Sequence, residues 1–212
     1  MNAVPKFDPQ CRQCPRLASF LDQVKEEYPA YFARPVPAFG DNRARLCIVG
    51  LAPGMHGANA SGRPFTGDHA GILLYETLHK YGFASKPQSV SVKDGLKLKN
   101  CRITNAVKCL PPQNKPIGSE INTCNQWLAA ELKALPNNNI VIALGGIAHK
   151  SVIRAMGLKQ SGYTFGHANE HTISNGILID SYNCSRYNTQ TKRLTTPMFE
   201  SIFERARDLL KT

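Results

Sequence analysis

Long hydrophobic runs are missing from this 212-residue chain. Its longest apolar stretch, Ile140 to Leu144, falls far short of the roughly 20 residues that a membrane-spanning helix needs, so no membrane partner is expected. The opening segment, MNAVPKFDPQ, lacks the apolar core of a secretory signal, and the expectation is a cytoplasmic protein. No internal repeat or low-complexity tract stands out, which argues against a solenoid. The GxxxxGKS/T phosphate loop is absent, so nucleoside-triphosphate chemistry has no support. Acidic residues are scarce: 15 against 26 lysines and arginines, a net charge of +11. That excess points to an anionic partner, with nucleic acid ahead of a surface that is basic only for solubility. The cysteine count is seven, and an odd number in such a chain argues against a disulfide framework.

What is present fits one domain spanning residues 1–212, long enough for a single well-buried core. Leu17, Phe20, Leu21, Val24 and Tyr28 recur at helical spacing and stop near Pro29. Short runs rich in branched residues predict strands at Leu46–Val49, Cys101–Val107, Ile140–Leu144 and Ile177–Ile179. Helices are expected between them: one capped by Asp68 and ended at Gly82, one from Ser119 to Leu135, one from Ile147 to Met156, and a last one from Pro197 to Leu210. Ser85 to Asn100 reads as mostly irregular. Alternating strands and helices predict a three-layer α/β/α sandwich around a four-stranded parallel sheet. Ligands bind such sheets at the carboxyl ends of the strands. Three segments gather there: Gly50–Asp68, the stretch after Thr104, and Asp180–Thr196.

The first of these, GLAPGMHGANASGRPFTGD, is too long and too rich in glycine for a plain connector. Phe65 fits either a core position or a stacking platform for a flat heterocycle. Asn105, near the end of the second strand, offers a donor and an acceptor side by side, which suits a base edge as well as a loop cap. His56 is a candidate base or phosphate contact. Ser181 to Thr191, SYNCSRYNTQT, is polar for a segment leaving an apolar strand; Ser185, Arg186, Asn188, Thr189 and Thr191 could reach phosphates, and Lys192 and Arg193 extend the basic run. Gly145-Gly146 fits a tight turn better than a phosphate site.

Cys11 and Cys14 form a CxxC pair, with Cys109 and Cys124 far along the chain. Four thiolates can close a tetrahedral zinc site or hold an iron–sulfur cluster. The long gap before Cys109 is unlike the two compact knuckles of a zinc ribbon. Cys47 lies in an apolar strand and is expected to be a buried hydrophobe. Nothing pairs Cys101 with Cys184.

Together these segments resemble the uracil-DNA glycosylase superfamily, most closely its family 5, the iron–sulfur or B-type enzymes. The stretches that carry the resemblance are GLAPG with HGAN and GRPFTGD (50–68), ITNAVKCLPP (103–112), ALGGIAHKS (143–151) and SYNCSRYNTQT (181–191). The resemblance implies a 4Fe–4S cluster on Cys11, Cys14, Cys109 and Cys124. It implies a monomer acting on double-stranded DNA that contains a deaminated base: usually uracil, with hypoxanthine, xanthine and modified uracils also associated with the family. By position, Phe65 stacks on the flipped base and Asn105 reads its polar edge. Gly50, Ala52, Pro53 and Gly54 shape the pocket floor. Asn59 is the candidate for positioning the attacking water, and His56, Arg63, Ser185, Arg186, Asn188 and Lys192 are candidate DNA contacts.

Relatives carry a polar or acidic residue early in the first motif, where this chain has Leu51 and Ala52; that apolar pair is normal for family 5. The last motif normally holds a histidine, and here Asn183 takes its place. Asparagine can donate a hydrogen bond to the leaving base but cannot carry positive charge. The expected reaction is hydrolysis of the N-glycosidic bond by water, catalysed by Asn59, Asn105 and Asn183, leaving an abasic site. In the matched pocket motifs no lysine takes the place of the water, so the enzyme is expected to be monofunctional. Two competing readings are a non-catalytic damage-binding protein on the same fold and a zinc-stabilised regulatory domain.

Overall fold

The computed structural model describes residues 6–211. Met1–Pro5, on which the reading of the opening segment partly rests, and Thr212 lie outside the described residues.

The sheet has six strands, not four. They are β1 (Phe39–Gly40), β2 (Leu46–Gly50), β3 (Cys101–Asn105), β4 (Asn139–Leu144), β5 (Glu170–Ile173) and β6 (Gly176–Ser181), in spatial order β1-β3-β2-β4-β6-β5. The four expected strands form the parallel centre, β3-β2-β4-β6. The two additions are antiparallel edges. Edge strands bury little, so their residues need not be apolar. β1 is two residues long at the end of a proline-rich approach, and β5 reads Glu-His-Thr-Ile.

The strand pattern explains the layers. Along β2, Leu46 and Ile48 face one side while Cys47 and Val49 face the other; along β4, Ile140, Ile142 and Leu144 alternate with Val141 and Ala143. Both sets are buried, which is why these strands are apolar throughout rather than alternating with polar residues. Helices α3 (His69–Lys80) and α7 (Thr196–Lys211) cover the first face. Helices α4 (Gly118–Lys133) and α5 (Gly146–Ala155) cover the second. A third cluster joins α1 (Pro15–Glu27) to Val107, Cys109, Cys124 and Trp127. Two short helices interrupt segments read as loops: α2 (Ala58–Ser61) and α6 (Arg186–Gln190). Among the described residues no helix is long and apolar enough to cross a membrane.

Candidate active site

The loops after β2, β3 and β6 meet at the carboxyl edge of the sheet and enclose a cavity of about 300 Å³. Its walls include Leu51, Ala52, Phe65, Asp68, Asn105 and Asn183.

Phe65 and Asn105 meet across Gly50. β2 and β3 place Gly50 beside Asn105 in register. A Cβ on Gly50 would sit 2.6 Å from Phe65 Cζ and would also strike Asn105 Oδ1, so only glycine lets the ring and the amide share this wall. The Phe65 backbone is left-handed, with φ at 56°, a costly conformation for a bulky residue and one that clusters at ligand sites. Asn105 Oδ1 is buried with no hydrogen-bond partner among the described residues. Such an orphan costs about 1–3 kcal/mol unless a ligand satisfies it.

Asp68 supplies the cavity's carboxylate. It was read from sequence only as a helix cap, and it is one: Oδ1 accepts from Gly71 N–H at 2.8 Å. Oδ2 lies over the Gly54–Gly57 turn, where a Cβ on Gly57 would come within 2.6 Å of it. Burial raises the Asp68 carboxyl above its ordinary range, against the lowering pull of the Gly71 N–H and His69. The signal for this second role was the length of the loop that Asp68 ends. His69 and Asn114 also line the cavity without having been singled out.

The expected residues divide. Ala52, Gly54, Asn183, Ser185 and Arg186 line the cavity with Phe65 and Asn105. Pro53 is buried and is not on its wall. Asn59 is not brought to the cavity: it is fully buried on α2 and its Nδ2 donates to Met55 O at 3.5 Å. Like Asn105 Oδ1, Asn59 Oδ1 is buried with no hydrogen-bond partner among the described residues. Arg63 is corrected as well. It is 6% exposed, and its guanidinium donates to Asp94 at 2.9 Å, to Ser89 and to Val92 O; a buried cation takes a partner before it can offer itself to phosphate. His56 is exposed and packs its ring against Tyr28 and Tyr31. Asn188 braces the turn, donating to Asn183 O at 2.8 Å, so its amide is committed. Thr189 and Thr191 donate to carbonyls of their own turn of α6. Lys192 is exposed beyond that helix.

Asn183 reaches the cavity from the end of β6. Its Cβ passes Gly145, whose own Cβ would stand 3.5 Å away, and Gly145 N–H donates to Ser181 O at 2.8 Å. Behind this corner, Asp180 accepts from His149 Nδ1 at 2.7 Å and His171 Nε2 at 3.1 Å. His149 Nε2 donates to Tyr163 O at 3.0 Å. Both nitrogens of His149 thus face oxygens, which fixes the orientation of the ring.

Cys11, Cys14, Cys109 and Cys124 line one small cavity between α1, the loop after β3 and α4. All are free thiols. Burial raises Cys14, Cys109 and Cys124, the last to about 11. The Lys108 backbone N–H donates to Cys124 Sγ at 3.2 Å. Among the described residues, His149, His171 and Asp180 bring ligand atoms within 4.8 Å of one another. As expected, Cys47 is a fully buried hydrophobe; Cys101 and Cys184 are buried too, with no bond between them.

Comparison with known proteins matches this architecture. The profile of the Uracil DNA glycosylase superfamily matches residues 37–207. The chain is 44% identical over 205 residues to a type-5 uracil-DNA glycosylase of Thermus thermophilus, covering 94% of this chain and 93% of that one. It is 41% identical over 209 residues to a type-5 enzyme of Mycobacterium tuberculosis, covering 94% and 78%. A type-4 uracil-DNA glycosylase of Archaeoglobus fulgidus is 31% identical over 150 residues, covering 70% and 61%.

Proposed function

The chain belongs to the uracil-DNA glycosylase superfamily, and from that premise we propose how its residues carry out base excision. The protein is a glycosidase that excises uracil from DNA. The observation that carries our site assignment is the unsatisfied amide of Asn105 beside the Phe65 ring.

A base must leave the duplex to reach this cavity, at a cost of a few kcal/mol in stacking. Stacking on Phe65 offsets part of that cost, about 1–3 kcal/mol per base on such platforms. Asn105 then pairs with the polar edge of the base, ending the isolation of its own Oδ1. Asp68 is the cavity's one carboxylate wall and is our choice for orienting the water. Its raised pKa makes it a better proton acceptor than an ordinary aspartate. As water attacks the anomeric carbon, the glycosidic bond breaks, its electron pair goes to the base nitrogen, and a water proton passes to Asp68. Asn183 donates to the departing base. No lysine lines the cavity, so we assign a monofunctional reaction that leaves the abasic site uncut.

The four cysteines, gathered around one small cavity, suit a 4Fe–4S cluster. When bound, the cluster would cross-link α1 to the loop after β3. Cys109 lies four residues beyond Asn105 and five before Asn114, so that loop is tied to the cysteine centre between two cavity residues. Cytoplasmic placement, a monomeric state and double-stranded DNA as a partner belong to this same reading.

The test is product analysis on duplexes holding uracil, hypoxanthine or xanthine. Free uracil with an alkali-labile, otherwise intact strand is expected. Strand cleavage trapped by borohydride would overturn the monofunctional assignment, and DNA binding without base release would favour the non-catalytic reading.

A further inference from the structure

The exposed large hydrophobic side chains among the described residues are Ile72, Val90, Val92, Ile117, Ile147 and Tyr187. None is scattered over the far side of the sheet. Ile72, Ile147 and Tyr187 stand in the opening turns of α3, α5 and α6, and Ile117 caps α4. Helices that follow parallel strands begin at the strands' carboxyl edge, beside the cavity. Val90 and Val92 reach the same edge on the 85–100 segment. That segment starts and ends low on the sheet, where Ala84 bridges Leu98. Its tip is fixed to the first loop: Ser89 Oγ bonds Thr66 Oγ1 at 2.6 Å, and Arg63 donates to Asp94 and to Val92 O.

Between this tip and α3 runs a groove of about 500 Å³, lined by Gly67, Asp68, His69, Ile72, Gln88 and Val90. Asp68 and His69 are also walls of the base cavity, so the two spaces are adjacent. Val90 is 68% exposed and Ile72 55%. Water solvates such a groove poorly, and a phosphate has no use for branched aliphatic walls. The flat face of a nucleobase fits them, and Gln88 adds an amide for a base edge.

We propose that this groove is a second base subsite, which takes the unstacked neighbour of the flipped nucleotide on the same strand. The proposal rests on the reading of the first cavity as the site of base excision. Two consequences follow. The neighbouring base leaves the helix stack when the target enters, so a single strand loses less on binding than a duplex does. The tip's rigidity, supplied by the Arg63–Asp94 pair, then matters for binding DNA although neither side chain faces it.

The experiment uses the full cluster-loaded protein and DNA carrying 2′-fluoro-deoxyuridine, whose electron-poor sugar resists cleavage. 2-Aminopurine, bright when unstacked, is placed on the 5′ or the 3′ side of that nucleotide. The fluorescence should change severalfold at one of the two positions on binding. Val90→Ser combined with Ile72→Ser should abolish that change and weaken binding about tenfold, with unchanged binding and uracil release on a substrate whose flanking nucleotides lack their bases. Unchanged 2-aminopurine signals at both positions in DNA that the native protein binds would overturn the subsite. A full response in the double variant would overturn the role of these side chains. Failure of the native protein to bind the fluorinated DNA at all would instead contradict the base-excision reading on which the subsite rests.

Discussion

At the scale of single residues, the roles proposed for Asp68 and Asn183 make the rate of bond breaking depend on each of them. Burial holds the Asp68 carboxyl above the ordinary range. A raised pKa means that the ionised form is lost earlier as pH falls. The single-turnover rate should therefore decline on the acid side at a pH above the usual aspartate value of about 3.9. Asp68→Asn should remove that limb and lower the rate about a hundredfold or more, the scale seen for general-base groups. A full-rate Asp68→Asn enzyme would return the water to another residue. Asn183→His should raise the uracil rate by about tenfold or more, since donors aimed at a developing anion are worth about that much and the histidine can also carry charge. A slower variant would show that Asn183 is tuned to its surroundings. Asn105 was legible in the chain because it ends an apolar strand, and Phe65 because it stands in the long glycine-rich loop after β2. Asp68 was half legible: its capping role hid its cavity role, since one carboxylate has two oxygens and only one of them caps the helix.

At the scale of elements, the Arg63–Asp94 pair clamps the 85–100 segment to the loop after β2. Burial alone would raise Asp94, but the Arg63 guanidinium and the N–H groups of Leu96, Ser91 and Val90 hold it down at about 2. The folded value lies below the unfolded one, so the stabilisation is full above the ordinary aspartate range and is lost as pH falls toward about 2. The shift is worth about 2 kcal/mol. Asp94→Asn should cost about 3–5 kcal/mol at neutral pH, because it leaves Arg63 buried without its countercharge. It should also flatten the stability profile between pH values of about 5 and 2. Urea unfolding across that range measures both. In the same way Cys109→Ser should abolish the broad absorbance near 400 nm that iron–sulfur centres give and lower thermal stability, with loss of uracil release because the Asn105–Asn114 loop is no longer held. Retained absorbance would remove Cys109 from the ligand set. The elements missed by sequence reading share a cause. β1 and β5 are edges that bury little, and α2 and α6 span only 4 and 5 residues, fewer than the turns over which a helical period can be recognised. The central strands were legible because burial on both faces makes them continuous apolar runs.

At the scale of the whole molecule, the charge of +11 and the cavity belong to one function. Lysine and arginine side chains draw DNA in without regard to sequence, and the cavity selects the base. Binding of undamaged duplex should fall steeply with salt, by at least about tenfold between roughly 50 and 200 mM, because releasing counterions into more concentrated salt is worth less. Fluorescence anisotropy would measure it, and a flat response would separate the basic surface from DNA binding. Arg63 was counted among the contacts from its sequence neighbourhood and proved to be internal, because a charge in a glycine-rich loop can turn inward when a carboxylate from another segment meets it. Only the fold reveals that Asp94, 31 residues later, does so.

The most direct test of the account is the single-turnover rate of uracil release from a uracil-containing duplex, measured side by side for the native protein and Asn105→Ala with their clusters loaded. The buried, unpartnered amide predicts that the variant folds as stably as the native protein or more so, while its rate drops about 10²–10³-fold. An Asn105→Ala enzyme that releases uracil at the native rate would contradict the account, since the base would then be read by something other than this wall of the cavity.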